Sequence, residues 1–122
     1  NKIAGFRNDE PGLYFFRDNM VSFLLAVGVS HVNPINFKHP ALEILEKYYS
    51  ENNTNYLSSL NTYMICLGNM SESSKKLNIH YNTMKYRIKI IQDIALIDLK
   101  NPDTFISLLL SFRINKGIYG ML

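Results

Sequence analysis

The sequence predicts an all-α domain of about five helices with a short N-terminal extension, and three observations predict it. At 122 residues with 47% hydrophobic content, the chain can bury a single core of useful size. Apolar residues recur at helical spacing in several successive segments. Between those segments stand proline, glycine, asparagine and serine at positions where helices start and stop.

In chain order, Pro11-Gly12 and "HVNPINFKHP" punctuate the first third, and the prolines at 34 and 40 disfavour helix just before each of them. A boundary is placed near Phe37, so residues 1–37 form one region and 38–122 another. Within the first, "GLYFFRDNMVSFLLAVGVS" has the content for one helix, with room for a short strand before it. After Pro40, Leu42, Leu45 and Tyr49 mark an inner face opposite Glu43, Glu46 and Lys47. That helix ends in "SENNTN". The next repeats the period through Leu57, Leu60, Met64 and Leu67 and stops at Gly68-Asn69. Ser71 reads as the N-cap of a short helix running to about Leu77, with Glu72 and Ser74 in its first turn. Only Asn78-Ile79-His80 separates it from a longer helix over about 81–95, which "LIDLKNPD" joins to a last apolar helix, "TFISLLLSFRI".

A short helix, a three-residue turn and a longer helix make a helix-turn-helix, whose second helix can enter a DNA major groove while the first braces it. The charge distribution agrees. The overall balance is +3 with a pI near 9.0. Five of the thirteen basic residues, but one of the ten acidic ones, fall between Ser71 and Gln92. On a wheel at about 100° per residue, Met84, Ile88, Ile91 and Ala95 share one face, with Ile94 beside it. Asn82, Lys85, Tyr86 and Lys89 share the opposite arc. These groups suit duplex DNA: ammonium for phosphates or guanine acceptors, amide for adenine, phenol for phosphate oxygen. Lys75 and Lys76 add charge from the first helix. Arg87 falls off the arc, near Thr83, with two readings: an ion pair with Glu72 or Asp98, or a phosphate contact from the helix flank. His80 and Thr83 flank the helix start and either cap it or touch the DNA backbone. Ser74 is small where the two helices approach, Leu77 and Ile79 flank the turn as core anchors, and Asn78 tolerates a left-handed turn.

Other chemistries find little support. Cys66 is the single cysteine, which excludes an internal disulfide and a multi-thiolate zinc site. His31, His39 and His80 lack ligand-like spacing, so neither metal nor cofactor is assigned. No paired carboxylates, no nucleophile with a base and no glycine-rich phosphate loop points to an enzyme. The apolar runs are too short to span a bilayer, and the chain reads as cytoplasmic. Because it begins at Asn1 rather than Met, it reads as a piece of a longer protein. A competing function is a helical protein-binding module using the aromatic segment 13–23, in which Phe15, Phe16 and Phe23 read more readily as core.

The segment from His39 to Ile114 resembles the C-terminal helix-turn-helix domain of PucR/CdaR-type bacterial transcription regulators. The residues that carry the likeness are "HPAL" at 39–42, "YLSSLNTYM" at 56–64, "LNIHYNTMKYRI" at 77–88 and the "LIDLKNPD" approach to the last helix. Most specific is the constellation His80, Asn82, Thr83, Tyr86 and Arg87. "GLYFF" at 12–16 is similar to the end of the sensor or GGDEF-like region that precedes this domain in the family. The resemblance implies sequence-specific binding of double-stranded DNA, a homodimer in the full-length protein, and an effector bound by the upstream region. Two departures stand out: Ser74 where alanine is usual, adding a hydroxyl that needs a partner, and Tyr81 where arginine is more common, removing one phosphate contact.

Overall fold

A computed structural model describes residues 20–115, which are helical with no strand among them. The elements are α1 (Met20–His31), a 3-10 turn (Pro34–Phe37), α2 (Pro40–Asn52), α3 (Tyr56–Ile65), α4 (Met70–Lys76), α5 (Tyr81–Ala95) and α6 (Pro102–Ile114). The chain divides into two compact units, Asn1–Asn36 and Phe37–Leu122.

In the first unit, α1 is apolar along its length and none of its residues is buried. Phe23, which the sequence reads as core, is 45% exposed. Phe15, Phe16 and the expected short strand lie outside the described residues.

In the second unit, each helix begins on a side chain that accepts an otherwise orphaned backbone N–H. His39 Nδ1 accepts from Ala41 N at 3.0 Å to open α2, with Pro40 at the first helical position. Asn55 Oδ1 accepts from Ser58 N to open α3, and Asn101 Oδ1 accepts from Asp103 N and Thr104 N to open α6. For α4 the cap is Asn69 rather than the expected Ser71: its Oδ1 accepts from Glu72 N at 2.9 Å. Asn69 takes that place because α3 already ends at Ile65, and Leu67 (φ 53°) and Gly68 (φ 78°) then turn the chain through left-handed conformations. The same turn corrects Leu67 as a core residue. Its left-handed backbone swings the side chain off the helical face, and it is 73% exposed. Tyr49 departs as well: nothing in α2 after Leu45 is buried, so the end of that helix reaches past the core, and Tyr48 makes the inward ring contact with Tyr56 at 5.8 Å.

The core is built around α5. Met84, Ile88, Ile91 and Ala95 are buried on its inner face against α2, α3 and α4. Leu42 and Leu45 enter from α2, and Leu57, Leu60 and Met64 from α3. From α6, which packs on α3, come Leu108 and Phe112. Leu77, Ile79 and Ile94 lie half-buried against this cluster, as their positions predict. Cys66 is buried as a small apolar side chain. A buried hydroxyl ties the entry of α2 to α6: Ser111 Oγ is placed to donate to Phe37 O (2.6 Å) or Ser107 O (2.8 Å), and accepts from His39 N at 3.0 Å.

Two outcomes follow from this packing. Ile88→Ala removes buried volume beneath α5 and is expected to destabilise the domain by about 2 to 5 kcal/mol in urea unfolding. An unchanged unfolding midpoint would mean that the inner face is wrongly assigned. Burial lowers the pKa of His39 below its ordinary 6.5, and its Nδ1 must be unprotonated to accept from Ala41 N. The folded value lies below the unfolded one, so the stabilising contribution is complete above 6.5 and is lost as pH falls through the folded value. The urea midpoint should therefore drop between about pH 7 and about pH 5, and drop less in His39→Asn, which caps without titrating.

Candidate nucleic-acid interface

The bend between α4 and α5 is made by local backbone chemistry. Asn78 adopts φ 54°, the left-handed geometry that its short amide side chain tolerates. Around it, Asn78 N donates to Lys75 O (3.1 Å) and Ile79 N to Ser74 O (3.0 Å), satisfying the last carbonyls of α4. Ser74 is 5% exposed where the two helices meet, and its hydroxyl donates to Ser71 O at 2.8 Å. The extra polar group relative to alanine thus has its partner within the helix.

His80 ends the turn with extended backbone (φ −67°, ψ 147°), and its Nδ1 accepts from Asn82 N at 3.1 Å. Of the two roles open to it, capping is present. Its imidazole remains exposed. Accepting through Nδ1 leaves the neutral ring's proton on Nε2, which can donate outward. Thr83 is exposed in the same first turn.

From this start, α5 holds Asn82, Lys85, Tyr86 and Lys89 on its exposed surface. Tyr81 is 46% exposed and Tyr86 62% exposed. Lys75 and Lys76 are exposed in the last turn of α4, where the negative end of the helix dipole favours them. Nine of the ten expected residues are thus solvent-facing across the end of α4, the turn and α5. The tenth, Arg87, is half-buried. It pairs with neither Glu72 nor Asp98: its Nη1 donates to Ser59 Oγ on α3 at 3.2 Å, from the shoulder of α5 that lies off the polar arc.

Two residues beside this face carried no signal in the sequence. Ser59 looks like an ordinary small helical residue, and only the packing of α3 on α5 brings it to Arg87. Tyr56 stands one residue before the apolar stripe of α3, yet its phenol is within electrostatic reach of Tyr86 and Arg87. Its pKa is raised chiefly by burial and further by Tyr48 and Tyr86, with Arg87 opposing; that of Tyr63 is raised by burial and then by Tyr81. Both phenols are therefore neutral at neutral pH and able to donate. Among the described residues, no cluster of three His, Cys, Asp or Glu side chains is arranged to hold a metal ion.

Residues 56–114, the span from α3 to the end of α6, match the PucR C-terminal helix-turn-helix domain. The chain is also similar to the DNA-binding transcriptional activator AdeR of Bacillus subtilis (strain 168), with 36% identity over 74 residues. That alignment covers 61% of this chain and 18% of AdeR. No solved structure gives a significant match. The two sequence matches, on a fold of the same kind, make residues 56–114 a helix-turn-helix DNA-binding domain of a transcription regulator. Within that class, residues 56–114 belong to the PucR C-terminal helix-turn-helix family. No helix among the described residues is long and apolar enough to cross a membrane.

The capping geometry of His80 makes a direct prediction. His80→Ala exposes the first N–H groups of α5 without a partner and is expected to cost about 0.5 to 2 kcal/mol of stability, whereas His80→Asn should recover most of it. Equal stability of all three proteins in thermal unfolding would remove the cap from the account of the turn.

Proposed function

We propose that α5 is the recognition helix of a sequence-specific DNA-binding domain and lies in the major groove, with α4 bracing it from behind. The observation that carries this reading is the division of α5 itself. Its inner stripe is buried, while Asn82, Lys85, Tyr86 and Lys89 are left outside the core. Lys75, Lys76, Lys85 and Lys89 neutralise phosphates and supply most of the affinity. Tyr81 and Tyr86 donate hydroxyls to the backbone, with His80 and Thr83 beside them at the helix start and Arg87 at its flank. Asn82, one position into the helix, is the side chain best placed to pair bidentately with an adenine edge, and Lys85 follows one turn later.

One such module reads few base pairs, so working specificity calls for two copies on paired half-sites, and a homodimer of the full-length protein provides them. We assign residues 1–37 to the end of an upstream sensor or GGDEF-like region, which would bind the effector, and place the regulator in the cytoplasm with its DNA. Fluorescence anisotropy with duplexes selected from a random pool tests the reading. Affinity should fall with salt by about 0.9 log units per log unit for each phosphate neutralised. A flat response, or no binding at low salt, would overturn it. On the selected site, Asn82→Ala should cost on the order of 1 to 3 kcal/mol and relax preference at one base position. If instead the preference profile is unchanged, Asn82 is not a reading group.

A further inference from the structure

Beside the outer face of α5 lies a cleft of ≈ 400 Å³ lined by the α2–α3 loop (Asn53, Thr54, Asn55), the first turns of α3 (Tyr56, Ser58, Ser59), Leu77 and Arg87. Its chemistry is one-sided. Arg87 is the only charged side chain in the lining, and hydroxyl and amide groups surround it. Arg87 is half-buried and the hydrogen-bond partner of its guanidinium is the neutral hydroxyl of Ser59. Arginine has five N–H donors in a planar fork that matches two oxygens of a phosphate or carboxylate. One of the five is used by Ser59, and no carboxylate among the described residues pairs with this side chain. A partly desolvated cation without a counter-charge is unfavourable unless an anion completes the site. Ser59 meanwhile holds one nitrogen of the fork, Nη1, on the side facing α3.

We propose that this cleft is an oxyanion-binding subsite, in which Arg87, oriented by Ser59, takes a phosphate group, with Tyr56 and Ser58 as neutral donors at its rim. The neutral Tyr56 phenol supplies an O–H without competing for the guanidinium. The subsite is distinct from the solvent-facing arc of Asn82, Lys85, Tyr86 and Lys89, because Arg87 leaves α5 on the shoulder facing α3. Two sources can supply the phosphate: the backbone of a bound duplex, or a free phosphate-bearing small molecule. The chemistry of the subsite is the same for both, and it stands whether or not α5 binds DNA as proposed above.

Nitrogen-15 NMR of the 122-residue chain separates these cases, with the Arg87 Nε–H and the Ser58 and Ser59 amides as reporters. Inorganic phosphate is titrated against chloride at constant ionic strength, and a duplex from the selected pool is titrated separately. A saturable shift of these signals with inorganic phosphate, absent with chloride and lost in Arg87→Gln and weakened in Ser59→Ala, establishes a free-anion subsite. A shift only with duplex identifies a DNA phosphate. Arg87→Gln should then lower duplex affinity about tenfold and reduce the salt slope by about one phosphate's worth, as Lys89→Ala does from the outer arc without moving the Arg87 signal. If neither titrant moves the Arg87 signal in the wild-type chain, the subsite does not exist, even where anisotropy shows duplex binding. Binding of phosphate without any duplex binding would leave the subsite standing and overturn the DNA reading alone. Because the reporters are read in the wild-type chain, a variant that fails to fold does not blunt the test.

Discussion

Everything in the DNA-binding unit depends on the burial of one stripe of α5. Met84, Ile88, Ile91 and Ala95 are each 5% exposed or less, and α2, α3 and α4 converge on them. Burying such side chains contributes about 1.5 to 3 kcal/mol each for the larger ones relative to exposure, far more than any single polar contact on the opposite face. Rigidity of the outer arc is therefore inherited from the inner one. The helix proposed to read DNA has to present its polar groups in a fixed register, and the apolar stripe sets both the rotation of α5 about its axis and its height above the core.

The polar interactions direct this packing more than they drive it. Five side chains, His39, Asn55, Asn69, His80 and Asn101, cap successive helices through nitrogen or amide oxygen acceptors and decide where each helix begins. The left-handed residues Leu67, Gly68 and Asn78 decide where α3 and α4 stop. With those points fixed, α4 is only seven residues long, and its two terminal lysines are exposed just before the turn that leads into α5. The short turn thereby gathers positive charge from two helices. Repulsion among the lysines is limited by their exposure to solvent and by screening over about 10 Å at moderate salt.

Arg87 belongs to neither the core nor the solvated arc. Its aliphatic stem can lie along the apolar margin while the guanidinium reaches Ser59. This shoulder of α5 is where the domain departs from a simple division into buried and exposed faces. The position also explains why an ion pair with Glu72 or Asp98 is not formed. Glu72 occupies the exposed first turn of α4, and Asp98 is exposed beyond the end of α5, so neither follows the guanidinium toward α3.

Much of this was written in the sequence itself, for a definite reason. Helical period and cap chemistry are local properties, so α2 through α6, the three-residue turn, the left-handed Asn78 and the two faces of α5 are readable from residues within one or two turns of each other. Local signals failed where two of them competed. Ser71 and Asn69 both suit an N-cap, and the left-handed turn at Leu67 and Gly68 favoured Asn69 while turning Leu67 out of the stripe it extended. Tyr49 continued a helical period, but a period cannot report where the core beneath it ends. Tertiary structure alone decided the partner of Arg87, the reach of Tyr56 toward Tyr86, and the link from Ser111 to Phe37 and His39. Each joins residues separated by tens of positions, and contacts at that range are set by how helices pack, which no local pattern encodes.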